Sequence, residues 1–321
     1  MTIILVALRN DLHVDAIIDK ATELDQCIRI DPSEIVEIGF DSGSESFQLD
    51  DVQLNSNNVS GVCCRYPLEL QPLDSSVDPV TYYRHAECIG AIRGMLLAIN
   101  PSRWINFPWH ENAADGKVRP LQVAQRIGLS VPPFIVTNNL TQLDSWIERN
   151  GTDLIIKSIT DTAIARQNGS FVKVPDFSSF TAPYTSRFDR RLVNPENTDS
   201  TPFLIQKRIE KVLERRVVVI DDTIYVTEAE CSPADPLDIR LKKGRSEVLG
   251  TLSAEDQRGV LELRYQLNLR FMTLDFAVDA EDTSWLLDVN PSGNWLWQEQ
   301  QLSLGIPARI AAALVGAISA E

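Results

Sequence analysis

Two short apolar runs, Met272–Val278 and Ser284–Asn290, flank the polar stretch Asp279–Thr283. Read as a hairpin about this loop, they are expected to set Asp275 opposite Asp288. Directly opposed residues share one face of a sheet with Cβ atoms about 5 Å apart. Asn290, two positions on, shares that face. Two carboxylates and a carboxamide therefore converge, and like charges so placed are destabilising unless something neutralises them. A hard cation with oxygen ligands does so, and Mg²⁺ accompanied by nucleotide phosphates is the usual form. A register slip of one residue would instead leave the acids capping strand ends. Two lysines stand where phosphate ligands would be useful: Lys117 near the start of a helix, and Lys157 at the end of the strand Leu154-Ile-Ile-Lys157. A lone strand-end lysine is more simply a solvated tip; these two gain meaning only from the acids downstream.

The elements that must hold these residues follow from periodicity. Ile3–Leu8 is an apolar run of the kind a parallel strand buried on both faces shows. Asp11–Leu24 reads as a helix, Ile35–Phe40, Ser46–Leu49 and Gly61–Arg65 as strands, and Thr81–Ala98 as a helix with apolar spacing near 3.6. Asp115–Gly128 is a further helix, with Pro120 in its first turn, Gly128 at the position after its C-cap, and Pro132-Pro133 forbidding continuation. Phe134–Thr137 and Asp153–Lys157 read as strands about the helix Leu140–Arg149, and Ser170–Val174 as another strand. Arg187–Pro202, polar and without period, reads as a mobile loop. Phe203–Arg208, Arg216–Ile220 and Thr223–Glu228 alternate as an antiparallel meander would, turning at Asp221-Asp222. Asp256–Leu267 and Pro307–Ile318 close the set as helices.

The chain of 321 residues is 44% hydrophobic, and its length suits two or three packed units. No apolar stretch is long enough to span a membrane, and the N-terminus has no signal-peptide pattern. Five scattered cysteines make no disulfide framework, so a cytoplasmic protein is expected. The net charge of −15 disfavours a general nucleic-acid binder. Against that background the run Arg240-Leu-Lys-Lys-Gly-Arg245 is either a solvated loop or a site for phosphates or an acidic peptide. His13, His85 and His110 are isolated, which favours a structural reading.

The motifs in order resemble those of the ATP-grasp ligases. Lys117, its Gln-Val-Ala helix and Gly128-Leu-Ser-Val-Pro-Pro133 resemble the first ATP-grasp signature. Leu204-Ile-Gln-Lys-Arg-Ile209 with Glu214-Arg-Arg-Val217 resembles the adenine-binding hinge, and Leu274-Asp-Phe276 with Leu287-Asp-Val-Asn-Pro291 the metal-binding strands. Within that superfamily, Cys64-Arg-Tyr-Pro67, Trp104-Ile-Asn-Phe-Pro108, Asp238-Ile-Arg240 and Asn290-Pro-Ser-Gly-Asn-Trp-Leu-Trp297 resemble the graspetide, or microviridin-type, ligases that cyclise ribosomal peptides. Three positions depart from the pattern. Asp288 stands where the family usually has glutamate, Cys64-Arg65-Tyr66 where it has Tyr-Arg-Arg, and Gly116 where asparagine is frequent.

The resemblance implies an α/β (α+β) ATP-grasp fold: an N-terminal α/β domain over residues 1–113, a central lid domain over 114–200, and a C-terminal antiparallel-sheet domain over 201–321. It implies ATP and Mg²⁺ as cofactors. Asp275, Asp288 and Asn290 would hold the metal, and Lys117 and Lys157 the phosphates. Gln206, Lys207 and Ile209 would meet the adenine, and Glu214 a ribose hydroxyl or the hinge network. Arg216 and Arg240, the latter oriented by Asp238, would serve the phosphoryl group or the substrate carboxylate. The implied partner is a precursor peptide with a leader and an acidic core, whose Asp or Glu side chains are joined to Ser/Thr hydroxyls or Lys amines. A homodimer is expected, with no nucleic acid or membrane partner. Two other readings fit the same motifs: an amino-acid or peptide ligase of the glutathione-synthase or ribosomal-protein-modifying kind, and a non-catalytic nucleotide-dependent peptide-binding module.

Overall fold

The computed structural model describes residues 1–34, 37–41, 43–66, 68, 78–159, 185–190, 202–232, 234–237 and 246–316. The expected strand Ser170–Val174, most of the expected loop after Arg187, and Asp238, Arg240 and the basic run to Arg245 lie outside the described residues.

The chain opens with β1 (Thr2–Val6), α1 (Leu12–Ala21) and β2 (Gln26–Ile30). Asp11 begins α1 by accepting the amides of His13 and Val14 at 2.9 and 3.2 Å. A small antiparallel sheet follows: β3 (Ile38–Phe40), β4 (Ser46–Leu49) and β5 (Val52–Asn55). The chain then forms β6 (Val59–Cys64), α2 (Pro79–Leu97), β7 (Trp104–Ile105) and α3 (Pro108–Ala114). The strands β2-β1-β6-β7 form a parallel sheet. Ile3 to Val6 are fully buried, which accounts for the unbroken apolar run.

Next come α4 (Val118–Arg126), β8 (Phe134–Thr137), α5 (Leu140–Asn150), β9 (Leu154–Lys157), β10 (Ser186–Arg187) and β11 (Phe203–Lys207). Gly128 follows the end of α4 at φ +93°, a conformation glycine adopts without strain. The sheet order is β10-β9-β11-β8, with every neighbouring pair antiparallel. This corrects two expectations. β11 pairs with β8 and β9 and takes no part in a meander with the strands that follow, so the central sheet is completed by residues beyond 200. Arg187, expected in a loop, lies in the short strand β10. Alternation fixes which residues of a segment share a face, but not which sheet the segment joins.

The remaining elements are β12 (Leu213–Ile220), β13 (Thr223–Glu230), β14 (Val248–Leu249), α6 (Ala254–Leu267), β15 (Phe271–Val278), β16 (Ser284–Asn290), α7 (Leu296–Leu302) and α8 (Ile306–Gly316). Their strands form one antiparallel sheet, β14-β13-β12-β15-β16. One face of it, with Val217, Val219, Met272, Leu274, Phe276 and Leu286, packs on α4 and α6. The other face divides: Val218, Ile220 and Phe271 join Ile3, Leu5 and α8 in a second core, while Glu214, Arg216 and Asp275 are left for polar work. The helix α8 lies so close to β6 that a Cβ at Gly61 would collide with the backbone of Leu314.

Candidate active site

The hairpin of β15 and β16 has the register expected from the sequence at the position that matters. Asp275 is paired with Asp288, and Thr273 with Asn290. Between Asp275 and Phe276 the register shifts, because Phe276 pairs with Leu286 and leaves Leu287 as the extra residue of a bulge. That bulge frees the Leu287 carbonyl from the ladder, and Lys157 Nζ donates to it at 3.2 Å. Lys117 Nζ lies 3.4 Å from Asp288 Oδ2. Both lysines therefore meet the acidic hairpin at one strand segment, although they come from the N-cap of α4 and the end of β9.

Charge and burial are distributed unevenly. Lys157 is 8% exposed. Its surroundings push it down to about 8, first through burial and then through the nearby Lys117 and Lys211, against the upward pull of Asp288 and Asp275. Asp275 is held by Arg216, whose Nη1 donates to Oδ1 at 2.6 Å while Nη2 donates to the Asn294 carbonyl at 3.1 Å. The Arg216 guanidinium also stacks 5.3 Å from the Trp297 ring. The Trp297 indole donates to Glu247 at 3.1 Å, which fixes the ring under the arginine. Asn290 Oδ1 accepts the Ser292 amide at 2.9 Å, turning the chain at the end of β16.

On β11, Gln206 is fully buried, and neither its Oε1 nor its Nε2 has a hydrogen-bond partner among the described residues. Burying an amide without partners is unfavourable by about 1–3 kcal/mol, so this side chain is suited to a ligand that both donates and accepts. Gln206 pairs with Ile155, and alternation puts it on the face that carries Lys157. Lys207 points to the opposite face and is exposed, its amide donating to the Pro133 carbonyl at 2.8 Å. Ile209 is half-buried just beyond the strand. Glu214, 7% exposed on β12, forms an ion pair with Lys211. Asp238 and Arg240 have no described position.

The geometry adds residues that local reading left without a role. Lys211 joins the cationic side through Glu214 and its effect on Lys157. Asn294 links Arg216 to Arg65 of the N-terminal part, whose Nη2 donates to Asn294 Oδ1 at 3.0 Å and whose Nε is paired with Asp11 at 3.0 Å. Behind this loop sits Glu111. Burial, with Asp115 nearby, pushes its carboxyl up to about 8 against the pull of Arg65 and a hydrogen bond with Ser292. His13 packs edge-on against Trp295 at 4.9 Å and is pushed down to about 4 by burial, a core role with no chemistry.

No cluster of three or more His, Cys, Asp or Glu side chains suited to a metal occurs among the described residues. A Mg²⁺ here would rely on Asp275, Asp288 and Asn290 together with phosphate oxygens and water, which is how this ion is commonly held. The buried lysines beside these acids and the unpartnered Gln206 amide fit a magnesium nucleotide.

Set beside solved structures, this arrangement has the fold of the ATP-grasp ligases. The macrocyclase MdnC from Microcystis aeruginosa MRC, bound with precursor peptide MdnA, matches with a TM-score of 0.79 at 22% identity, covering 98% of this chain and 100% of that one. The macrocyclase MdnB from the same source matches at 0.75 and 24% identity, over 98% of this chain and 99% of that one. A Chryseobacterium gregarium RiPP-associated ATP-grasp ligase in complex with ADP and a leader and core peptide matches at 0.79 and 19%, over 98% and 95%. No protein-family model and no curated protein matches the chain.

Proposed function

We propose that the protein is an ATP-dependent ligase that activates Asp or Glu side-chain carboxylates of a precursor peptide and joins them to Ser/Thr hydroxyls or Lys amines, closing lactone or lactam rings. The observation that carries this reading is the convergence of buried Lys117 and Lys157 on Asp288, opposite Asp275, within a fold shared with peptide macrocyclases.

A substrate carboxylate oxygen attacks the γ-phosphorus of ATP; the bond to the β–γ bridging oxygen breaks and ADP leaves. The resulting acyl phosphate is attacked by the hydroxyl or amine, which loses its proton as phosphate departs. Catalysis of such transfers is mostly positioning and charge neutralisation. Lys117 and Lys157 hold phosphate oxygens. Gln206, with the backbone of Lys207 and Ile209, reads the adenine edge, which offers both donors and acceptors. Glu214 takes a ribose hydroxyl. Arg216, aimed by the Asn294 carbonyl and backed by Trp297, meets the transferring group. Asp275, Asp288 and Asn290 hold Mg²⁺, which supplies charge neutralisation at the phosphates. Arg240, oriented by Asp238, receives the substrate carboxylate, since a guanidinium fork suits one.

In this reading the molecule has three parts, an N-terminal unit over 1–113, a central nucleotide lid from 114 that is completed by β11, and a C-terminal catalytic unit. It works as a homodimer in the cytoplasm, without nucleic acid or membrane partners. The cysteines suit that compartment, all five being free thiols, and no helix among the described residues is long and apolar enough to cross a membrane.

The test is mass spectrometry of an acidic-core precursor peptide, encoded beside the gene, after incubation with enzyme, ATP and Mg²⁺. Each ring closed removes one water. ATP hydrolysis without any loss of water from the peptide would overturn the cyclase reading.

A further inference from the structure

Asn106 follows β7 directly and is 3% exposed. Its carboxamide makes four hydrogen bonds, none within its own unit. Nδ2 donates to the carbonyls of Phe271 and Pro291, each at 2.8 Å. Oδ1 accepts the amides of Arg270 and Phe271, each at 2.8 Å. Two donors and two acceptor positions are all that an amide side chain possesses. Phe271 opens β15 and Pro291 follows β16, so one side chain grips both strands at the open end of the acidic hairpin.

That end has particular need of a clip. Pro291 has no N–H, so the ladder cannot continue past Asn290 by backbone pairing. Four residues beyond Phe271 stands Asp275, opposite Asp288, and each is paired outward, with Arg216 at 2.6 Å and Lys117 at 3.4 Å, so the two carboxylates do nothing to hold the strands together. The loop between Pro291 and Trp297 is already packed tightly, since a Cβ on Gly293 would collide with Thr273. An error in strand spacing or stagger at Phe271 and Pro291 is therefore transmitted to Asn290 and Asp288 with little slack between.

We propose that Asn106 is the positioning residue of the metal site. It belongs to the N-terminal unit and touches neither nucleotide nor metal, yet it sets the spacing at which Asp275, Asp288 and Asn290 present oxygens to one cation. The inference rests on the reading of this hairpin as a Mg²⁺ site.

The experiment measures ADP binding by calorimetry, with and without Mg²⁺, for the full chain and for Asn106→Ala and Asn106→Asp. Removing a side chain that orients ligands commonly weakens metal affinity by about 10–100-fold. The half-saturating Mg²⁺ concentration should therefore rise at least about tenfold in both variants, while metal-free ADP affinity stays within about a factor of two. Asn106→Asp keeps the acceptor for the two amides but turns carboxylate oxygen toward two carbonyls, so its shift should be the larger. A folded variant whose Mg²⁺ requirement matches wild type overturns the proposal, even if its turnover is lower. Failure of both variants to fold assigns Asn106 a purely structural role and overturns it equally. If ADP binding by the wild type is itself indifferent to Mg²⁺, the metal site is misread. That outcome is visible before any variant is made.

Discussion

Lys117 and Lys157 are almost closed off from solvent, at 9% and 8% exposure. The side chains of Asp275 and Asp288, which face them, keep 41% and 29% of theirs. The two sides of the site thus meet different physical demands. A buried ammonium loses hydration and gains it back only from an anion, which is why burial lowers Lys157 and why its neighbours matter. A hard cation gives up its water reluctantly, and half-open carboxylates let it keep several molecules of its shell. The cationic side is dry and the anionic side partly open to water, a division that under the proposed function suits phosphate on the first and magnesium on the second. Arg216 stands between them, paired with Asp275 and stacked on Trp297.

Breaking the wet side should have the largest effect. Asp288→Asn removes a charge at the proposed metal site and almost no volume. We expect ligation to fall by at least about 10²-fold, equivalent to about 2.7 kcal/mol of transition-state stabilisation. Stability should change by no more than about 1 kcal/mol. Near-normal ligation by this variant would remove Asp288 from the metal site.

The dry side makes a proton prediction. Without nucleotide, Lys157 is lowered to about 8, so near that pH a large fraction is neutral. Bound phosphate favours the ammonium form. Nucleotide binding between about pH 8 and 9 should therefore take up protons, and affinity should fall as pH rises through that window. Calorimetry in two buffers of different ionisation heat measures the uptake. Lys157→Met should abolish it and weaken nucleotide binding. Equal uptake by wild type and variant would return Lys157 to the role of tying down the Leu287 carbonyl.

The smallest effect concerns Glu111, a half-buried carboxyl behind the loop that follows β16. Its carboxyl is raised from an ordinary 4.5 to about 8. A raised carboxyl contributes stability that is fully present below about pH 4.5 and is lost as pH rises toward 8. Glu111→Gln keeps a partner for Ser292 and removes the titration. Denaturant melts should show a gain on the order of 1 kcal/mol at pH 7 to 8 and a flatter pH profile. A variant less stable than wild type across that range would show that the ionised form is the one the fold uses.

The acidic hairpin was legible in the sequence because two apolar runs flank a short polar loop, which brings Asp275 and Asp288 near one another. The Leu287 bulge was not legible, since one extra residue changes no composition and shows only as a shift between Asp275 and Phe276. β1 announced itself through four successive buried apolar residues. β2, reading Gln-Cys-Ile-Arg-Ile at the edge of the same sheet, has only Ile30 fully buried and carries no such signal. The seven-residue α3, with Pro108 at its start, is too short to show a period. Asn106 and Asn294 lie in motifs that stand out as patterns, yet what they do depends on partners far along the chain. No local pattern reports a contact of that kind, and a buried carboxamide looks the same in sequence as a turn residue.

One feature of the packing bears on how the molecule is made. Ile3, Leu5 and Val14 share a core with Ile306, Ile310 and Leu314, and Gly61 leaves just enough room for the backbone of α8. These partners lie roughly 300 positions apart. During synthesis the parallel sheet emerges early, but α8, which covers one of its faces together with α1, arrives only after the three other sheets have been made. Until then α1 covers that face only in part, and the remainder is apolar surface of the sort that invites aggregation or chaperone capture. The N-terminal sheet cannot mature as an independent early domain, so docking of α8 should be a late event in folding and the contacts around Gly61 among the last to form.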